Sequence, residues 1–540
     1  MRIEVYSDSC KIFDIDDDTR NTLDQLLTKE VEGAEYVRKK NKGKGWDGKY
    51  RFYNRLSNTF KTGLLPYVLT LLEQMSENPS IIEKRWLYPL EDCDIVPLKV
   101  MDQQGRPVQA LYRPYQLESI KLLSKNAGGL IHIATNGGKS LIIAGFILSL
   151  LRKSPMKALV LVHRIEIFKQ LKELFDLNYD PALVGTVASK EDGGIRIQGK
   201  QIVFAMVQTL SRRLGKFKKG KDPGKITDED ESLRNFLQEV SIYAIDEVHH
   251  ANATTYKDAV KSAKKCLIHC GFSGTIGEAD TLEGLQLRSL LGCVVRRVKN
   301  IELIEKGVSL IPKVFFYCVE LDGEYLEAVK KHARKDHYIK RLQSEDEKVR
   351  ETPHAGMGGY QFQKLYEEGV IYNEEQNQVL LETVTLLSAR GLQTLVVVDR
   401  KETHGKHLSE MFDKAGLKHL VWTGDTKDRS GVLKQFQTKQ VNLLIATSVM
   451  NEGVNVHAID VIILASGLKS TIALLQRAGR GLRTGSSNDY LLIIDFLHVG
   501  EDTLYKHSKT RAALWNDEGF SVRFIDTIED FIYYLTDLGI

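Results

Sequence analysis

Cysteine is scarce in this chain. Cys10, Cys93, Cys266, Cys270, Cys293 and Cys318 are too few and too scattered in 540 residues for a disulfide scaffold, and the low density fits a reducing cytoplasm. Long apolar runs are missing as well. The longest, LIIAGFILSLL from Leu141, stops at Arg152 and reads as a buried helix too short to cross a bilayer, so no membrane role is expected. The opening MRIEVYSDSC holds neither an apolar core nor a small-residue cleavage site, so secretion is not indicated. No short repeat of fixed period occurs. Nor does one sign of charge dominate, since 75 basic and 71 acidic residues nearly cancel. On that total, the strongly basic signature of a nucleic-acid binder is absent.

What is present is an ordinary globular composition, 42% hydrophobic and 27% charged, at a length that favours about three domains. Charge is uneven locally. Residues 1–37 carry four basic and ten acidic side chains, whereas residues 38–61 carry nine basic ones against the single Asp47. From about residue 129 short apolar runs (LIHIA, ALVLV, IVFAM, SIYAI, CLIHC) alternate with helix-period segments, the pattern of parallel strands with crossover helices. A second series (TLVVV, HLVW, NLLIA, DVIILA, YLLIID) begins near Gln393, with helix patterns at 402–415, 427–437 and 470–478. Two α/β lobes follow. Residues 216–232, a basic run followed by an acidic one, read as a surface loop, and residues 324–390 as charged, mainly helical connection.

The sharpest local motif is ATNGGKS, residues 134–140, between strand LIHIA and the apolar helix. Strand, Gly-bearing loop, Lys-Ser and helix form the layout of a phosphate-binding loop. Backbone amides from Thr135 to Gly138 and the helix N-terminus cradle phosphate oxygens, Lys139 neutralises the β and γ charge, and the Ser140 hydroxyl holds Mg²⁺. The strict GxxxxGK[ST] pattern fails at Ile133, so the loop needs a second half of an ATP site to support it. DEVHH, residues 246–250, supplies one directly after strand SIYAI. Asp246 at the strand end is assigned to the metal and Glu247 to the attacking water. The bland alternative, a solvated acidic turn with two surface histidines, does not explain why the two motifs occur in this order.

With both halves in place, the chain resembles superfamily 2 helicases and translocases through both lobes. The resemblance implies two tandem RecA-like parallel-sheet lobes that bind ATP and Mg²⁺. It assigns Arg113 and Gln116 in LYRPYQ to adenine, and His163, Arg164, Gln208 and Thr209 in LVLVHR and VQTL to nucleic acid. Ser273, Gly274 and Thr275 take the motif that couples hydrolysis to movement. In ATSVMNEGVNV, Thr447 faces the strand and Gly453 the nucleotide, and QRAGRGLR supplies Gln476, Arg480 and Arg483. That last motif also has a reason of its own. Arg477, Arg480 and Arg483 recur every three residues, near one face of a helix, where a guanidinium stabilises γ-phosphate charge only when the lobes close. Asn136 departs from the Gly many relatives carry, and DEVHH is nearest the DEAH or DExH variants, which argues against an RNA-specific DEAD-box role.

The first module carries the clue to substrate. In NKGKGWDGKYRFYNR, residues 41–55, and just before it, Lys39, Lys40, Lys42 and Lys44 neutralise phosphates while Trp46 and its neighbours Tyr50, Phe52 and Tyr53 offer aromatic faces. Those aromatics serve equally as the buried side of a small sheet. The arrangement resembles phage UvsW-type branch-migration helicases, which implies ATP-driven remodelling of forks, Holliday junctions and displacement loops, and a host-cytoplasm location for a phage-encoded chain. The expected domains are an α+β accessory module at 1–105, lobe one at 106–320, connection and lobe two at 321–500, and a C-terminal helical extension at 501–540. An RNA helicase, a duplex-DNA translocase subunit and a non-catalytic nucleic-acid scaffold are the competing readings. Zinc at Cys266, His269 and Cys270, with His249 and His250, is disfavoured because the cysteines sit in an apolar strand with alternating faces.

Overall fold

The computed structural model describes all residues except 32–46, 86, 103, 134–136, 216–226, 249–255, 257–259, 261, 264–265, 275, 277–279, 306–310, 344–356, 400, 424–425, 427, 448–458, 468–489 and 540. The chain divides into two compact units, Met1–Val298 and Lys299–Ile540. No helix among the described residues is long and apolar enough to cross a membrane.

In the first unit the apolar runs form an eight-stranded sheet. Its spatial order is Ile195–Arg196, Val184–Val187, Ile202–Met206, Lys157–Val162, Val240–Asp246, Ile268–Ser273, Gly128–Ile133 and Val294–Val298. All neighbours are parallel except the edge pair Val184–Val187 with Ile195–Arg196. Ala158 to Val162 are 0% exposed, as a parallel strand covered by helices on both faces requires. The helix Lys139–Lys153 buries every residue from Ile142 to Leu151, which accounts for the apolar run read in the sequence.

The N-terminal residues build a separate five-stranded sheet in the order Tyr53–Asn54, Thr59–Lys61, Ser9–Phe13, Arg2–Val5, Ser80–Glu83. Helices Asp17–Leu26 and Leu65–Gln74 accompany it. Ile3, Val5, Ile12, Leu23, Phe60 and Leu72 form its core, together with Leu285 from the large-sheet helix Leu282–Leu291. Gly63 permits this docking, because a Cβ there would lie 2.0 Å from the Arg288 carbonyl oxygen and 2.6 Å from Gly292 Cα. Of the aromatics offered to nucleic acid, Phe52 and Tyr53 are buried in this core, while Tyr50 is 39% exposed.

The second unit holds a seven-stranded, all-parallel sheet. Its order is Leu420–Trp422, Leu443–Thr447, Thr394–Val398, Val461–Leu464, Tyr490–Val499, Ile311–Glu320, Ser521–Ile525. Two expected boundaries move. Ile311–Glu320, placed at the end of lobe one, pairs over ten residues with Tyr490–Val499. It buries Phe315, Tyr317 and Val319 in one core layer and Val314 and Phe316 in the other, so it is an inner strand of lobe two. Residues 501–540 are not a purely helical appendage either. Helix Asp502–Asp517, strand Ser521–Ile525 and helix Ile528–Asp537 complete the lobe, with Phe531 and Leu535 0% exposed. Helices Gly323–Leu342 and Met357–Tyr366, expected as the connection between lobes together with helices of the second, follow strand Ile311–Glu320 and pack on each other inside the second unit. The two sheets with their covering helices are the two RecA-like lobes.

Candidate active site

A parallel sheet gathers the loops after its strands along one edge, which is where α/β folds bind ligands. In the first unit that edge collects the expected residues. The phosphate loop follows Gly128–Ile133, and Ser273 ends the adjacent strand. Asp246 ends the strand beyond, paired in register with Phe272. His163 and Arg164 follow Lys157–Val162, and Gln208 and Thr209 stand in the helix Val207–Gly215 that follows Ile202–Met206.

Lys139 opens its helix after Gly138, whose φ of 75° lies in the left-handed region where a side chain is disfavoured. Lys139 Nζ donates to Glu247 Oε1 at 2.7 Å, with side-chain exposures of 14% and 22%. Burial opposes the ammonium charge, but Glu247 and Asp246 outweigh it and hold the lysine above its ordinary pKa. Glu247 has φ 50°, a conformation a non-glycine residue keeps only where its surroundings impose it, and such residues cluster at functional sites.

Asp246 is 5% exposed, and burial followed by the Glu247 charge pushes its carboxyl up to about 7 against the pull of Lys139. Its Oδ1 is buried with no hydrogen-bond partner among the described residues. A buried carboxylate oxygen left open beside Lys139 and Glu247 fits a divalent cation. Asp246 and Ser140, the second residue of the Lys139 helix, are the groups that would hold Mg²⁺, which supplies charge neutralisation to a bound triphosphate. Among the described residues no group of three or more His, Cys, Asp and Glu side chains is placed to hold a metal. Cys266 and Cys270 are buried, with burial raising both thiols, as expected of structural residues.

The adenine-side residues grip the phosphate loop directly. Gln116 is 0% exposed, accepts from Arg113 N at 2.9 Å through Oε1, and donates from Nε2 to the Gly137 carbonyl at 3.1 Å. Tyr115 Oη donates to that same carbonyl at 3.1 Å and accepts from Arg113 Nη1 at 3.2 Å. Tyr115 is a contributor the sequence reading missed, although it stands inside the motif. His132 is another. Its Nε2 lies 3.1 Å from the Gly274 carbonyl and ties the phosphate-loop strand to the coupling segment. Burial, with help from Arg297, pushes His132 down to about 4, so it is neutral and its Nε2 carries the proton that Gly274 accepts. A lone histidine in the apolar run LIHIA was the only available signal.

In the second unit Thr447 ends strand Leu443–Thr447, 6% exposed. Lys39, Lys40, Lys42, Lys44, Trp46, Thr135, Asn136, Thr275, Gly453, Gln476, Arg480 and Arg483 lie outside the described residues, as do His249 and His250.

Two family models match the chain in order. "Type III restriction enzyme, res subunit" covers residues 109–278, and "Helicase conserved C-terminal domain" covers residues 375–485. In Saccharomyces cerevisiae the protein named "Putative ATP-dependent helicase IRC3" is 24% identical over 456 residues, 82% of this chain. The chain spans 56% of that relative's length. "DNA 3'-5' translocase XPB2" of Sulfurisphaera tokodaii is 21% identical over 402 residues, 71% of this chain and 81% of that protein. Among solved structures, UvsW of bacteriophage T4 is 16% identical, with 97% of this chain and 100% of that one covered at a TM-score of 0.42. The first match falls on the unit Met1–Val298 and the second on the unit Lys299–Ile540.

Proposed function

We propose that this chain, which belongs to the superfamily 2 helicases, turns over ATP at the Lys139–Glu247 edge of its first lobe and uses it to move on DNA. The observation that carries the reading is the Lys139–Glu247–Asp246 constellation. It sets a phosphate-binding cation, a water-orienting carboxylate and an open metal-binding oxygen together beyond the ends of Gly128–Ile133 and Val240–Asp246, the two strands that flank Ile268–Ser273. Arg113 and Gln116 take the adenine, Gly137 and Gly138 the phosphates, and Glu247 orients the attacking water once a triphosphate draws Lys139 away from it. Intact Lys139, Asp246 and Glu247 together argue against a scaffold that has lost catalysis, since one substitution would suffice for the loss. Gln476, Arg480 and Arg483 complete the reaction from the second lobe.

DNA is the proposed track, and forks, four-way junctions and displacement loops the proposed substrates, in recombination, repair and replication. This rests on the resemblance of the N-terminal segment to branch-migration helicases, on its nine basic residues against one acidic, and on the DNA-translocase name of one relative. The test compares ATP turnover of the whole chain on single-stranded DNA, duplex, fork, four-way junction and matched RNA. Forks and junctions should stimulate most. Stimulation by RNA above all DNAs overturns the substrate, and no stimulation by any overturns the motor.

A further inference from the structure

The described residue with the most exposed large apolar side chain is not on a lobe. Leu56 is 99% exposed, at the tip of the hairpin formed by Tyr53–Asn54 and Thr59–Lys61 in the N-terminal sheet. The tip is stiff. Asn54 Oδ1 accepts from the backbone amides of Leu56 at 3.0 Å and Ser57 at 3.2 Å. Tyr53 Oη donates to Asn58 Oδ1 at 3.0 Å, and the Asn58 carbonyl accepts from Ile12 N at 2.9 Å. Tyr53 and Phe60, each 3% exposed, anchor the base of the hairpin in the core. A leucine held out by such a frame is not a loosely packed side chain that has strayed from the core.

Its surroundings name its partner. Arg55, beside it, is exposed and makes no ion pair among the described residues, whereas Arg51 and Lys61 pair with Asp47 and Asp8. A groove of about 860 Å³ runs from Leu56 along Tyr50, Arg51 and Arg55 to Gln286 and Leu290 of the first lobe. An apolar point, a free guanidinium and a half-exposed tyrosine beside a groove wide enough for a nucleotide fit a strand of nucleic acid leaving a duplex, because apolar wedges unstack base steps while cations hold the phosphates. Gly63 seats the module against the lobe, so the tip rides with the phosphate-loop lobe.

We infer that Leu56 is a strand-separating wedge, which packs on the terminal base pair of a duplex–single-strand junction and leads one strand past Arg55 into the groove lined by Tyr50. This rests on the reading of the chain as a DNA motor. The test uses the full chain on a forked duplex with 2-aminopurine in the junction base pair, and reads base pairs opened per ATP hydrolysed. Leu56→Ala should lower that ratio about tenfold, the scale expected for losing the apolar contact of one leucine, and Leu56→Phe should restore it. An unchanged ratio in Leu56→Ala overturns the wedge while leaving the motor standing, as does a fall in opening matched by an equal fall in ATP turnover. Altered sedimentation of Leu56→Ala overturns it in favour of self-association. A wild-type chain with no DNA-stimulated turnover overturns the motor reading, and the wedge with it.

Discussion

Replacing Glu247 by Gln should raise affinity for ATP while it lowers turnover, an opposition of signs that follows from the 2.7 Å Lys139–Glu247 contact. Without nucleotide, Lys139 is committed to Glu247 in a site where neither side chain is more than 22% exposed. A triphosphate must take the ammonium over and therefore works against that bond. A hydrogen bond to a charged group contributes about 1.5–3 kcal/mol, an ammonium–carboxylate pair lying toward the upper end and an ammonium–amide bond toward the lower. The substitution thus relieves about 1 kcal/mol of competition, or roughly fivefold in Kd. Loss of the negative charge near the phosphates acts in the same direction. Turnover meanwhile loses the carboxylate that handles the attacking water, on the order of 10²- to 10⁴-fold. Titration of a fluorescent ATP analogue gives the first quantity and phosphate release with saturating DNA the second. Lys139→Ala provides the contrast, with binding and turnover both lost. Weaker binding by the Gln variant, or turnover within tenfold of wild type, would refute the assignment of Glu247 and the competition for Lys139 together.

Three predictions concern the frame. Gly63→Ala places a methyl 2.0 Å from the Arg288 carbonyl oxygen and should destabilise the module's seat by about 1–3 kcal/mol, seen as faster proteolytic release of the N-terminal module with the lobe intact. In the second lobe Arg511 and Asp495, 1% and 0% exposed, are joined by Nε and Nη2 hydrogen bonds of 2.9 Å. Arg511→Met strands the carboxylate and should cost about 3–5 kcal/mol in denaturant unfolding, most of it recovered in the Asp495→Leu/Arg511→Met double variant. Burial, followed by the Arg511 charge, pushes His498 down to about 3 and keeps it neutral, with its Nε2 2.7 Å from Gln376 Oε1 and its Nδ1 3.2 Å from Ser508 Oγ. The unfolded chain takes up that proton first, so stability is whole above about pH 6.5 and declines below it, by about 2 kcal/mol between pH 7.5 and 5. His498→Gln should lack this share of the acid loss, and an identical pH slope in denaturation curves of the two proteins refutes it.

Two backbone carbonyls tie the loop of Lys139 and its neighbouring segment to their surroundings. Gly137 O receives donors from Tyr115 and Gln116, and Gly274 O receives one from His132. Strand Gly128–Ile133 is paired in register through His132 with Ser273. The strand ending at Ser273 lies between the strand that leads to the Lys139 loop and that of Asp246.

How far the sequence disclosed this depends on how local each signal was. The parallel strands and the paired ATP motifs were legible because each occupies a few consecutive residues: an apolar run, then GKS or DE. The strand Ile311–Glu320 was not recognised as part of lobe two, although its apolar residues are plain, because its partner Tyr490–Val499 lies some 170 residues on, and pairing at that separation leaves no local mark. Strand Ser521–Ile525 failed for a related reason: three of its five residues are exposed and it docks only at the sheet edge, so it was absorbed into the helical extension expected at 501–540. Phe52 and Leu56 make the sharper case. Composition offered Phe52 to nucleic acid and passed over Leu56, yet Phe52 is 6% exposed and Leu56 99%. The two identities were each compatible with core or surface, and position decided between them, Phe52 between strands Lys49–Arg51 and Tyr53–Asn54 and Leu56 in the turn that follows. A basic, aromatic segment therefore marks out a module before it marks out a residue, and side-chain exposure within the hairpin is what separates Phe52 from Leu56.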